Sequence, residues 1–320
     1  MPSRGSLGLL LAAIGLSATP LVGQVVRLPA VVAQDESYPG RLVSHPDSAA
    51  ELLQAPGERD LSEESDLARD ARPGVFQKLI FESTWLAPGG RDDLGISTLE
   101  SKVAFAVPFP VRESPLIILP GFAVHYLDGP ATRDLPPQLY DAYTQFRWLS
   151  RPVPQVWLDL SVTPGVYSDF QHSNDDAFRL TGHAAAMWTV NPELKVVLGA
   201  AYVDRWTVDV LPICGVIWTP HDDVKYELMF PTPQIARRIY WSGAYTDEVQ
   251  DWIYIAGELG GGTWTFLEAN GLDDRIDYTD YRVFLGVERK VIGGLDAHVE
   301  IGYVFGRKVR FSSGTPELRP

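Results

Sequence analysis

The chain has 320 residues, 45% hydrophobic and 21% charged. It is too apolar to be disordered throughout and long enough to bury a sizeable core in one or two domains. Its 41 acidic against 27 basic residues give a formal charge of -14, which argues against a phosphate-gripping surface and against nucleic acid as a partner. The single cysteine, Cys214, excludes an internal disulfide and a Cys-rich zinc or iron–sulfur centre. With 28 Gly, 25 Pro, 9 Trp, 13 Tyr and 13 Phe against 3 Met, the composition points to many short strands joined by turns.

In chain order, Met-Pro-Ser-Arg is followed by an apolar run from Leu7 to Leu16 and then by small residues. This pattern predicts a secretory signal over residues 1–33, cleaved after Gly23 or after Ala33. The run is shorter than the roughly 20 residues a membrane helix needs. Residues 34–74 are polar and acid-rich, with Glu58, Asp60, Glu63, Glu64, Asp66 and Asp70, and read as an acidic periplasmic linker. Both a short helix over Leu61 to Ala71 and an unstructured chain fit there. No later apolar run reaches spanning length, so a membrane location would require strands closed into a barrel.

From Val75 the pattern changes to period two. Ala297, Val299, Ile301, Tyr303 and Phe305 share one face, and His298, Glu300, Gly302 and Val304 share the other, a face expected to continue through Gly306 to Lys308 and Arg310. The same alternation places Val156, Leu158, Leu160 and Val162 opposite Asp159, and Val224, Tyr226, Leu228 and Phe230 opposite Glu227. It recurs at Tyr281, Val283, Leu285 and Val287, opposite Arg282 and Glu288. A soluble two-sheet sandwich with its apolar face inward shows this alternation too. The links favour the barrel, because short Pro-bearing links at 108–114, 150–154, 190–193 and 219–223 alternate with longer polar ones.

The expected fold class is therefore all-β: an antiparallel up-and-down transmembrane β-barrel of about 12 strands (12 to 14) over residues 75–312, with a flexible tail at 313–320. Thirteen candidate segments are found, whereas an even number is expected. Either one is wrong, the stretch from Phe230 to Trp264 being the doubtful one, or a short strand at Val309 to Phe311 makes the fourteenth. Trp85, Trp148, Trp188, Trp218, Trp241 and Tyr278 lie near strand ends, as an interfacial girdle would.

Several phrases in this body resemble a family of uncharacterised bacterial outer-membrane β-barrel proteins, domain of unknown function 6268. They are Pro73 to Leu79, Leu211 to Pro220, Phe230-Pro231-Thr232-Pro233, Gly260-Gly261-Gly262-Thr263-Trp264 and Gly302 to Lys308. The resemblance covers roughly Pro73 to Phe311 and implies an exported barrel. It supplies no activity and no catalytic residues. The chain departs from common outer-membrane barrels in its end, since Phe311 is followed by nine further residues.

Candidate chemistry is sparse. His172 and Ser173 are adjacent, so on a strand they would face opposite sides, and a membrane lipid hydrolase is the weaker alternative. Asp273, Asp274, Asp277 and Asp280 cluster between expected strands with Asn270, without EF-hand spacing, and no metal or other cofactor is expected. Charges within strands must face inward, because a basic side chain near the lipid midplane costs roughly 2–4 kcal/mol. Arg147, Asp159, Glu227, Arg282, Glu288 and Glu300 are the candidate lumen-facing residues, either lining a water-filled path or pairing to plug it. No residue is expected to be catalytic.

These features together predict a bacterial outer-membrane protein, a passive small-solute pore or an envelope structural protein. Its expected partners are outer-membrane lipids, the barrel-assembly machinery and small solutes or ions. A soluble exported β-sandwich that binds a ligand is the alternative.

Overall fold

Alternating side chains can satisfy a closed sheet only if one set of faces meets the interior and the other the surroundings. The computed structural model describes residues 24–28, 74–89, 93–111, 114–129, 135–171, 175–205, 208–243, 248–268, 270–291 and 295–313. The strands are β1 (Gln24–Leu28), β2 (Phe76–Leu86), β3 (Gly95–Pro108), β4 (Pro115–Asp128), β5 (Gln138–Val153), β6 (Val156–Ser168) and β7 (Phe178–Asn191). They continue with β8 (Leu194–Tyr202), β9 (Val210–His221), β10 (Val224–Phe230), β11 (Gln234–Ser242), β12 (Val249–Leu267), β13 (Asp273–Val291) and β14 (Ala297–Phe311). A single 3-10 turn, Asp175–Ala177, precedes β7 among the described residues. Each strand pairs antiparallel with its neighbours in sequence, and β1 pairs with both β2 and β14, so the described residues form a closed ring.

All thirteen segments expected from the sequence are strands, including the doubtful ones between Phe230 and Trp264. The fourteenth is a different one from that expected. Val309 to Phe311 continues β14, and the closing strand is Gln24–Leu28, inside the segment read as a leader. The reason is one of direction. In an up-and-down ring β2 and β14 run the same way, and closing them directly would require a parallel pair. β1 lies antiparallel to both, with Val26 opposite Ile301 on one side and Trp85 on the other. A chain lacking residues 24–28 is therefore expected to lose the compact band that a closed barrel gives in unboiled detergent gels.

The lower part of the wall is regular. Tight links at 154–155, 192–193 and 222–223 join β5 to β6, β7 to β8 and β9 to β10. On the opposite rim the wall drops where Pro231–Pro233 joins the short strands β10 and β11. The β11–β12 ladder ends at Ala256, with Gly257 N–H donating to Pro233 O beyond it, among the described residues. β12 stays paired with β13 to the tip, and the two 19-residue strands lean into the mouth. Gly261, at φ +129°, permits the bend. The tip reaches the far wall, where Thr265 pairs with Ser168 of β6 and Asp169 N–H donates to Thr265 O.

This lean explains two departures from the sequence reading. Thr263, Trp264, Thr265 and Phe266 are buried consecutively, so both faces are covered and no period of two survives. Asp273, Asp274, Asp277 and Asp280 belong to β13 and not to a loop between strands. Trp264, Phe266, Ile276 and Tyr278 pack with Leu86, Leu139, Tyr143 and Val304 in one apolar cluster that fills the mouth. Tyr278, expected in a girdle, is 1% exposed and lies in that cluster.

Gly306 produces a further correction. At φ +63° it forms a bulge against Thr279 to Tyr281, which adds one residue to β14. Below it Glu300 and Val304 are buried. Above it the phase shifts, so Arg307, Val309 and Phe311 are buried while Lys308 is exposed and Arg310 half-buried. Lys308 and Arg310 therefore do not share the face of Glu300.

Candidate functional site

The interior is where the charged side chains meet. Arg147, Asp159, Glu227, Arg282, Glu288 and Glu300 are all buried, between 1% and 8% exposed, on strands whose alternate residues are open. Arg147 and Asp159 contact each other, and the other four meet charged or hydroxyl groups of further side chains. Arg147 Nε and Nη2 grip Asp159 side-on at 3.0 and 2.7 Å, and Arg282 reaches Glu258 at 3.0 Å and Asp280 at 2.9 Å. Glu227 pairs with Lys225, and Glu288 with Lys290 at 3.4 Å. Lys102 sits between Glu100 and Glu82, at 3.2 and 3.4 Å.

Two braces of one design tie alternate strands together. The Tyr143 ring on β5 covers Gly121 of β4, and its hydroxyl donates to Glu100 on β3. On the other side Tyr254 of β12 covers Gly286 of β13 and donates to Glu300 on β14 at 2.5 Å. A glycine in the middle strand is required in each case, since a Cβ on Gly286 would lie 2.2 Å from the Tyr254 ring. Gly286→Val is expected to destabilise the fold by about 1–3 kcal/mol. Combining it with Tyr254→Ala should cost less than the sum of the two changes in urea unfolding, because both act on one contact.

Two hydroxyl–imidazole–carboxylate relays also lie inside, and sequence reasoning missed both. Thr98 Oγ1 is 2.8 Å from His125 Nδ1, and His125 Nε2 is 2.9 Å from Asp141, whose other oxygen accepts from Trp264 Nε1 at 2.6 Å. Ser161 Oγ is 2.5 Å from His183 Nδ1, and His183 Nε2 lies 3.1 Å from Asp159. The second has the parts of an activated nucleophile, though His183 Nε2 stands near Asp159 without making a hydrogen bond. Its surroundings oppose catalysis, for Arg147 already neutralises Asp159, and Ser161 sits directly opposite His183 in the β6–β7 ladder, where backbone N–H groups serve the sheet instead of an oxyanion. The members stand about twenty residues apart, so only the strand register reveals them. His172 and Ser173 fall outside the described residues.

The acids near the mouth are likewise engaged. Asp274 accepts from Ser312 and Ser313, Asp277 from Thr263 Oγ1 at 2.6 Å, and Asp280 from Tyr278 and Arg282. Among the described residues no three His, Cys, Asp or Glu side chains are grouped to hold a metal ion.

The chain matches no protein-family model, and no curated protein matches it. The site is therefore read from its own geometry. The cross-wall contacts brace the interior, and among the described residues a cavity of about 30 Å³ lies under the β12–β13 hairpin.

Outside, the arrangement is reversed. Val283, Leu285, Val287, Val299 and Ile301 are 43–54% exposed. Aromatic rings flank them, with Tyr281 stacked on Phe305 and Phe305 on Tyr303. Trp188, Trp218 and Trp241 are exposed near the tight-link rim and Trp85 near the other, while Trp148 is half-buried.

Proposed function

We propose that the protein is a bacterial outer-membrane β-barrel whose interior is filled by its own side chains, an envelope structural or small-ligand-binding protein and not a permanently open pore. The observation that carries this reading is the inversion of polarity: Glu300 is 1% exposed while its neighbours Val299 and Ile301 are 48% and 54% exposed. Water on both sides would favour the opposite arrangement. A hydrocarbon exterior with a polar, cross-paired interior fits it. The soluble sandwich would need the faces exchanged.

The resemblance to the domain of unknown function 6268 family belongs to the same proposal. Its phrases fall on the β10–β11 connection at Pro231–Pro233 on the long-loop rim, the inward bend at Gly260–Trp264 and the bulge at Gly306. Export and removal of a leader are part of it as well. Cleavage after Gly23 would keep β1 as the first strand, whereas cleavage after Ala33 would remove it, so the ring favours the first. The tight links would then lie on the periplasmic side.

Planar-bilayer recording of the folded protein tests occlusion. The expected result is insertion without a steady conductance. A steady conductance would restore the passive pore.

A further inference from the structure

A buried arginine normally spends its side-on edge, Nε and Nη2, on a carboxylate, because the two N–H groups match its two oxygens. The buried Arg147 does so on Asp159, and the exposed Arg289 uses the same edge on Asp251 at 2.7 Å for each bond. Arg179 does not. It is 6% exposed, and its Nη1 donates to Asp204 O at 2.8 Å, yet its Nε and Nη2 have no hydrogen-bond partner among the described residues. Thr181 Oγ1, two residues along the same inward face of β7, also lacks one.

Both side chains line the cavity under the β12–β13 hairpin. Of the carboxylates there, Asp141 is held by His125 and Trp264, and Asp204 stands 3.5 Å from Nη1, the end of Arg179 already bonded. Arg205 brings a second positive charge and donates to the carbonyls of Gly260 and Gly261 at 3.1 Å. The Asp204 side chain is 32% exposed, which marks the solvent side. The volume is about twice what one water needs. What remains open is a planar two-donor fork with a hydroxyl beside it, in a space for one small group.

We propose that Arg179 and Thr181 form a binding site for the carboxylate group of a small solute at the long-loop mouth of the barrel. This rests on the filled-barrel reading and names the ligand class of that interior. Arg179 Nε–H and Nη2–H each donate to one carboxylate oxygen, and Thr181 Oγ1–H donates to one of them. The fork, and not charge alone, gives the preference for a planar anion over a spherical one.

The test uses the full chain folded in detergent, with sodium acetate as probe and sodium chloride at equal concentration as reference. The temperature at which the compact band is lost on gels is read for the wild type, Arg179→Lys and Thr181→Val. Acetate is expected to raise it in the wild type relative to chloride, as binding to the folded form requires. Arg179→Lys keeps the charge but not the fork, and should weaken apparent acetate affinity at least tenfold. Thr181→Val should weaken it severalfold and serves alone if the lysine variant does not fold. A compact wild-type band with no acetate-specific shift overturns the site while leaving the barrel intact. Equal shifts in wild type and variants place binding elsewhere and overturn it also. Absence of a compact wild-type band overturns the barrel reading, and the site with it.

Discussion

Replacing Ile301 with arginine is expected to prevent assembly of the barrel, or to destabilise it by roughly 2–4 kcal/mol near the lipid midplane. Ile301 is 54% exposed on β14 and stands beside Leu285 of β13, itself 49% exposed. In water such a change on an open strand face would fall within about 0.5 kcal/mol. The size of the effect therefore reports the solvent that the face meets. Leu158→Arg on β6, next to the inward Asp159, should behave alike. The check is the fraction of each variant recovered as a compact, heat-sensitive band from the membrane. Wild-type recovery of both would show that these faces do not meet lipid.

The second large effect is expected inside. Arg147 and Asp159 are each 6% exposed at the side chain and share a two-pronged bond, with His183 Nε2 close to the same carboxylate. Arg147→Met leaves that carboxylate buried against a shortened set of donors, and breaking one side of such a pair costs about 3–5 kcal/mol. The double variant Arg147→Met with Asp159→Leu should recover most of the loss, since a buried pair exchanged for well-packed apolar groups is often neutral. Urea unfolding in detergent for the four proteins of the cycle checks this. A double variant as unstable as the single would mean that Arg147 acts through some other contact.

How far the sequence reveals this arrangement depends on whether a feature is periodic. The alternation of Val299, Glu300 and Ile301 is legible because one strand divides two environments, and the charges at Asp159, Arg282 and Glu300 could be placed on one face from spacing, Arg147 only from the cost of a charge in lipid. Gly306 breaks that inference for Lys308 and Arg310, because a single glycine in the left-handed region adds a residue without leaving a mark in the hydropathy. The run from Thr263 to Phe266 reads as neither strand face, since the hairpin tip is covered on both sides. β1 is five residues long and follows closely on the apolar run from Leu7 to Leu16, so its pattern merges in the sequence with that of a secretory signal. The Tyr143–Gly121–Glu100 brace and the His183 relay depend on which residues face one another across strands. That register is set by link lengths and bulges, not by any local motif.

The proposed barrel turns its apolar face toward lipid. Membrane fractionation of the expressed chain, followed by gels run with and without boiling, tests it most directly. A lipid-facing closed barrel gives a band in the outer-membrane fraction that needs detergent for extraction and migrates differently once boiled. A protein extracted without detergent, with one mobility before and after boiling, would contradict it.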